Sequence, residues 1–235
     1  MKNLKKTLAL LLCAVLLVAG SVAGTLAYLT SNDTVVNTFT VGDVQIYLDE
    51  KDVDGSNTAP EAGVTGRDKA NDYHLLPGHE YDKDPTVTVK AGSEESYIRM
   101  LVTINKQAEL DAIFTAINAE RAAKTPAQTP LTIDDVLTGF DNTKWIPYAE
   151  TENPDNTRTY EFRYYQTVST VGGTDEPLEP LFTQIVMPDE ITNAQLKTLY
   201  TAGATNNLKI EVVAHAIQAD GFANADAAWT AFNAA

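Results

Sequence analysis

Apolar residues recur at every second position through several short stretches of the chain, the pattern of strands with one buried face. Val44, Ile46 and Leu48 share one face, as do Val87 and Val89. In YIRMLVTI, Ile98, Met100, Val102 and Ile104 point one way while Tyr97, Arg99 and Thr103 point the other. Tyr160, Phe162 and Tyr164 line one side of RTYEFRYYQTV, and Leu208, Ile210, Val212, Ala214 and Ala216 line one side of NLKIEVVAHAIQA. LFTQIVM, residues 181–187, adds a strand by its apolar, β-branched content. About seven or eight strands result, which predicts a mainly β, jelly-roll-like antiparallel β-sandwich.

A few helices are inserted among them. Leu110, Ile113, Phe114 and Ile117 follow the i, i+3, i+4, i+7 rule and lay one apolar stripe on the sandwich. Thr192 with Gln195, flanked by Ile191 and Leu196, has the pattern of a capping box with a hydrophobic staple; Thr132 with Asp135, flanked by Leu131 and Val136, repeats it. A last helix is expected over residues 223–232, with Trp229 and Phe232 on its apolar face. The connections DEKDVDGSNTAPEAGVTGRDKAND, ETENPDNTR and STVGGTDEP are polar and rich in turn formers, and none divides the chain into two lengths that could each bury a core.

The N-terminus follows another pattern. Lys2, Lys5 and Lys6 precede an apolar run over residues 8–19, followed by small residues, which is the build of a cleaved signal peptide. The run is shorter than the roughly 20 residues of a membrane-spanning helix, which argues against a retained anchor. Thr25-Leu26-Ala27 supplies a small-x-small site, so the mature chain is expected to begin at Tyr28; Ala19-Gly20-Ser21 and Val22-Ala23-Gly24 are competing sites. Residues 1–27 are thus read as the signal peptide and 28–235 as one domain. Cys13, the only cysteine, leaves with the leader, so the mature chain relies on an ordinary core rather than on disulfides. Formal net charge is -15, and loss of three leader lysines makes the mature protein more acidic still. Such a surface repels phosphate backbones and anionic bilayers, so neither nucleic acid nor stable membrane insertion after processing is expected.

The junction GTLAYLTSNDTVVNTFTVGDVQIYL resembles that of the camelysin/TasA-like family through Gly24, Thr25, Ala27, Tyr28, Asn37, Phe39 and Gly42. LLPGHEYDKDPTVTVKAGS is similar to the family's proline-glycine turn and following strand through Leu76, Pro77, Gly78, Asp84, Pro85, Val87 and Val89. The resemblance implies a jelly-roll sandwich, processing by a dedicated signal peptidase, and deposition in the extracellular matrix or on the cell surface as biofilm fibres. It also implies homopolymerisation by donor strand exchange, in which an N-terminal segment completes a sheet of the next subunit. Residues 28–41 are the donor candidate, with Tyr28, Leu29, Val35, Val36, Phe39 and Val41 as its apolar contacts. An ordinary first strand has the same sequence pattern.

Some relatives are described as metalloproteases, and His74, His79 and His215 are the histidines available. HEYDK begins like a zinc-protease helix but carries Lys83 where the second histidine belongs, and His215 shares a strand face with Lys209 and Glu211; solvated or turn histidines are expected, with no catalytic residue. No phosphate loop or serine elbow stands out, and no acid pair is singled out by its neighbours. In EKDVDGSNTAPE, Glu50, Asp52, Asp54, Gly55 and Glu61 match positions of a calcium loop, but glutamate at the first position, polar Asn57 at the eighth and a preceding strand argue against an EF-hand. A weak calcium site at Glu50, Asp52, Asp54 and Glu61 is weighed against a solvated acidic loop. Trp145, Tyr148, Tyr164 and Tyr165 could instead form the aromatic platform of a carbohydrate-binding adhesin.

Overall fold

The computed structural model describes residues 30–33, 43–56, 64–201 and 204–235. In chain order the strands are β1 (Thr30–Asp33), β2 (Ile46–Lys51), β3 (Arg67–Asp68), β4 (Glu80–Asp82), β5 (Thr86–Val89), β6 (Ser96–Asn105), β7 (Leu137–Thr138), β8 (Trp145–Asn153), β9 (Thr157–Tyr164), β10 (Glu176–Pro177), β11 (Gln184–Val186) and β12 (Ile210–Gln218). The helices are α1 (Gln107–Ala123), α2 (Asn193–Leu199) and α3 (Ala225–Ala234). The protein is mainly β, with antiparallel sheets in the orders β1-β12-β6-β9-β8, β10-β5-β2-β3 and β4-β11-β7.

The most regular alternation in the sequence sits at the centre of the largest sheet. β6 pairs with β12 on one side and β9 on the other, and its inward residues Ile98, Met100, Val102 and Ile104 are at most 1 % exposed. Burial of each such side chain contributes about 1.5–3 kcal/mol. Ala214 and Ala216 of β12 and Phe162 of β9 enter the same core, joined by Val44 and Ile46, by Val87 and Val89 of β5, and by Leu110, Ile113 and Ile117 of α1. Sandwich, helical stripe and inward faces agree with the sequence expectation. So does the cap of α2, where Gln195 N–H donates to Thr192 Oγ1 at 3.2 Å and Thr192 N–H donates to Gln195 Oε1 at 2.8 Å.

Several local features differ from expectation. Residues 181–187 are not one strand: only Gln184–Val186 is, while Leu181 and Phe182 reach the core from the preceding bend. ETENPDNTR is not a loop throughout, because Glu150 to Asn153 belong to β8, which pairs with β9 across a tight turn. Thr132 and Asp135 bracket a single 3-10 turn, with Thr132 N–H donating to Asp135 Oδ2 at 2.8 Å. The three-stranded sheet is an addition to a simple sandwich. Its strands have two or three residues each, too short to show a period.

One glycine is required by close approach. Gly139, just after β7, has φ 82, and a Cβ there would lie 2.0 Å from Thr183 Oγ1 and 3.2 Å from the Thr183 amide nitrogen. The Thr183 N–H donates to the Thr138 carbonyl at 2.9 Å, so this neighbour is not free to withdraw. Gly139→Ala should therefore destabilise by more than about 1 kcal/mol in denaturant unfolding. A neutral substitution would show that the contact relaxes.

Candidate functional site

Sheet edges decide where another strand could add, because an edge presents unpaired N–H and C=O groups. In the largest sheet, one edge is β8, which is exposed along most of its length. It carries Pro147, which has no N–H, a register shift between Pro147 and Ala149, and the acidic residues Glu150 and Glu152. Each of these devices opposes strand addition. Among the described residues, the smaller sheets end in strands of two or three residues.

The opposite edge of the large sheet is built otherwise. The four residues of β1 pair antiparallel with β12, in the register Thr30 with Ile217, Ser31 with Ala216, Asn32 with His215 and Asp33 with Ala214. β12 is nine residues long and largely apolar, IEVVAHAIQ, and β2 of the second sheet lies against both β1 and β12. Within the pairing of described strands, β1 is all that covers this edge of β12. The residues expected at the cleavage site, Thr25, Ala27 and Tyr28, and those expected to serve assembly, Tyr28, Leu29, Val35, Val36, Phe39 and Val41, lie outside the described residues, on either side of β1.

The acidic loop after β2 has a different geometry from the one its spacing suggests. One carboxylate oxygen from each of Asp52, Asp54 and Asp68 lies within 4.8 Å of the others. Glu50 is not among them: its carboxylate is buried against the Lys83 ammonium and accepts from Asn71 Nδ2 at 2.9 Å. Glu61 lies outside the described residues. The third member of the cluster is Asp68, fully buried, which the pairing of β2 with β3 sets opposite Glu50. Nothing in the sequence spacing marked it, because it arrives through strand pairing.

Backbone and hydroxyl donors organise this cluster. Asp52 Oδ1 accepts from Gly55 N–H at 2.6 Å, and Asp68 Oδ2 accepts from Ser56 Oγ at 2.9 Å. Asp54 accepts from Asp72 N–H at 2.6 Å, and this amide, followed by Ser56, holds its carboxyl below the usual carboxylate range. An all-oxygen, anionic donor set suits a hard cation such as calcium rather than zinc.

The histidines lie apart in their chemistry. His79 Nδ1 contacts the Pro77 carbonyl at 2.9 Å within its turn. His215 is 9 % exposed, so the expectation of a solvated ring fails: α3 lies over that face of β12, and Arg99 Nε–H donates to His215 Nδ1 at 3.1 Å. Among the described residues, the one group of three convergent carboxylate, imidazole or thiol ligands is the aspartate cluster.

The aromatic platform is also redistributed. Trp145 is fully buried, donating its indole N–H to the Glu179 carbonyl at 2.8 Å, and half-buried Tyr164 packs edge-on against it at 4.9 Å. Tyr148 and Tyr165 remain exposed, each with a cation on its ring, Arg163 at 3.2 Å and Lys144 at 4.5 Å. No helix among the described residues is long and apolar enough to cross a membrane. Compared with protein-family models, with curated proteins and with solved structures, the chain gives no match.

Proposed function

We propose that the protein is a secreted structural subunit of extracellular fibres, of the camelysin/TasA-like kind, that joins its copies by exchanging the N-terminal strand. The observation that carries this reading is the contrast between the two edges of the large sheet. β8 is defended by Pro147, a register shift and two glutamates, whereas β12 is covered by a four-residue strand adjoining the proposed cleavage site. The pairing spans only four positions of β12, and an equivalent segment from another copy reproduces all of them. The leader, attached just ahead of β1, would hold the segment back until a signal peptidase freed it. Electron microscopy of the chain beginning at Tyr28 tests the reading: fibres are expected, and a persistently monomeric protein counts against it. The aromatic-platform alternative is weaker, because two of its four rings serve the core or its margin.

In the same reading, the acidic loop takes calcium as a structural ion through Asp52, Asp54 and Asp68, without enzymatic activity. Its aspartates already accept backbone or hydroxyl hydrogen bonds, which compete with a cation, so affinity should be that of extracellular modules, about 10⁻⁴–10⁻³ M. Calorimetry should find this range, with binding lost in Asp68→Asn. Micromolar affinity, or binding indifferent to Asp68, would show that another ligand set is at work.

A further inference from the structure

The C-terminal helix α3 is fastened to the outer face of the large sheet by a buried cation. Arg99 of β6 is 3 % exposed; its Nε–H donates to His215 Nδ1 at 3.1 Å and its Nη2 donates to Asn233 Oδ1 at 2.8 Å. Its guanidinium lies 4.4 Å from the Trp229 ring and 5.0 Å from the Phe232 ring, both on α3. His215 sits beside Arg99 in direct register on β12 and stacks on Phe232 at 4.7 Å between centroids. A guanidinium has no acceptor and keeps its protons, so this contact requires a neutral imidazole with its lone pair at Nδ1 and its proton at Nε2.

We propose that His215 makes α3 an acid-released latch: protonation of the imidazole sets a donor against the Arg99 donor, a cation against a cation, and expels the helix from β6 and β12. The surrounding charges leave little to neutralise that second cation. From β9, Glu161 lies 3.7 Å from Arg99 but is also held by Arg163 at 2.7 Å. From α3, Asp226 is bound to Arg163 and accepts from Tyr148 Oη at 3.0 Å. On β12 itself, Glu211 pairs with Lys209 at 3.0 Å. Asn233 and Tyr97 complete the setting as uncharged groups.

The pH window follows from the linkage. Burial, and then the Arg99 charge, push the docked imidazole down to about 4 from its ordinary 6.5. The released state binds the proton more readily, so the latch is fully closed above 6.5 and weakens as pH falls from there towards 4, by up to about tenfold per pH unit and about 300-fold in all. Asp226 has a separate, lower window: Arg163, and then Tyr148, hold its carboxyl below the usual range, so that anchor persists until below its unfolded value of 3.8. A released α3, ten residues long, is too short to stay helical in water.

This inference stands whether or not the protein forms fibres. Hydrogen exchange of the full chain, corrected for the intrinsic pH dependence of exchange, should show protection of residues 225–234 falling up to tenfold per pH unit below 6.5, while β6 stays protected. His215→Asn, which keeps an acceptor but cannot take the proton, should remove that slope. Equal slopes in the two proteins, or a flat wild-type profile, overturn the proposal. If the variant does not fold, an NMR titration of wild-type His215 decides: a midpoint near 4 with loss of α3 protection supports the latch, and a midpoint near 6.5 with α3 still protected overturns it.

Discussion

Lys83→Met should destabilise the protein by about 3–5 kcal/mol, enough to threaten folding of a domain of ordinary stability. Lys83 and Glu50 form an ion pair whose side chains are 8 % and 9 % exposed. The ammonium also lies 5.5 Å from the centroid of the Tyr73 ring, and Asn71 satisfies the second oxygen of Glu50. Removing the lysine leaves a buried carboxylate whose partner position across β2 and β3 is the fully buried Asp68. Tyr73 feels the same environment: burial, and then the charge of Glu50, push its hydroxyl well above the usual tyrosine range. The cost belongs to the stranded charge rather than to the pair, so Glu50→Gln in the Lys83→Met background should recover much of the loss. Urea unfolding of both variants checks this; a double variant no more stable than Lys83→Met would show that packing of the lysine stem, not charge, holds this corner together.

The parts of the fold legible in the sequence are those in which one face is buried and the other wet. β6 alternates because Ile98, Met100, Val102 and Ile104 face the core while Arg99 lies beneath α3 and Thr103 pairs with Thr159 on the outer face. The same one-sidedness exposed the apolar stripe of α1. β8 was invisible for the opposite reason: beyond Trp145 both its faces are largely exposed, so no burial imposed a period on Pro147 to Asn153. Its pairing with β9 supplies the order that its own side chains do not show.

The candidate sites show a similar division. Asp52 and Asp54 fall in one cluster because both come from one short loop, where spacing reflects geometry. Asp68 was not legible, because the pairing of β2 with β3 brings it across from a segment with no matching motif. Glu50 stands outside the cluster because of a partner that spacing does not reveal: Lys83 follows β4, 33 residues away. His215 illustrates the hardest case. Its alternation with Lys209 and Glu211 identifies its strand face correctly, but which helix covers that face is decided by tertiary packing, and α3 turns a surface position into a buried one.

Under the proposed strand exchange, deleting residues 28–36 from the chain beginning at Tyr28 should abolish fibres and leave the protein monomeric. The deletion removes β1 and the residues on either side of it, uncovering the edge of β12 from Ala214 to Ile217. Ordering a donor costs about 1–2 kcal/mol per residue in backbone entropy. Each large apolar side chain fully buried returns about 1.5–3 kcal/mol, and Val35, Val36, Phe39 and Val41 are the residues able to supply this. Backbone pairing along β12 adds to the balance, and it is available only to a segment that can lie in antiparallel register with Ala214 to Ile217. A truncated subunit has a vacant acceptor edge but no complete donor, so chain growth has nothing to propagate it. Sedimentation should show the monomer peak persisting where the intact mature chain loses it. A synthetic peptide of residues 28–41 should bind the truncated protein and raise its melting temperature without forming fibres, because it fills the acceptor and links to nothing further. If the truncated protein forms fibres at the rate of the intact one, exchange through this segment is wrong and β1 is an ordinary first strand; if it stays monomeric and ignores the peptide, the β12 edge is not the acceptor.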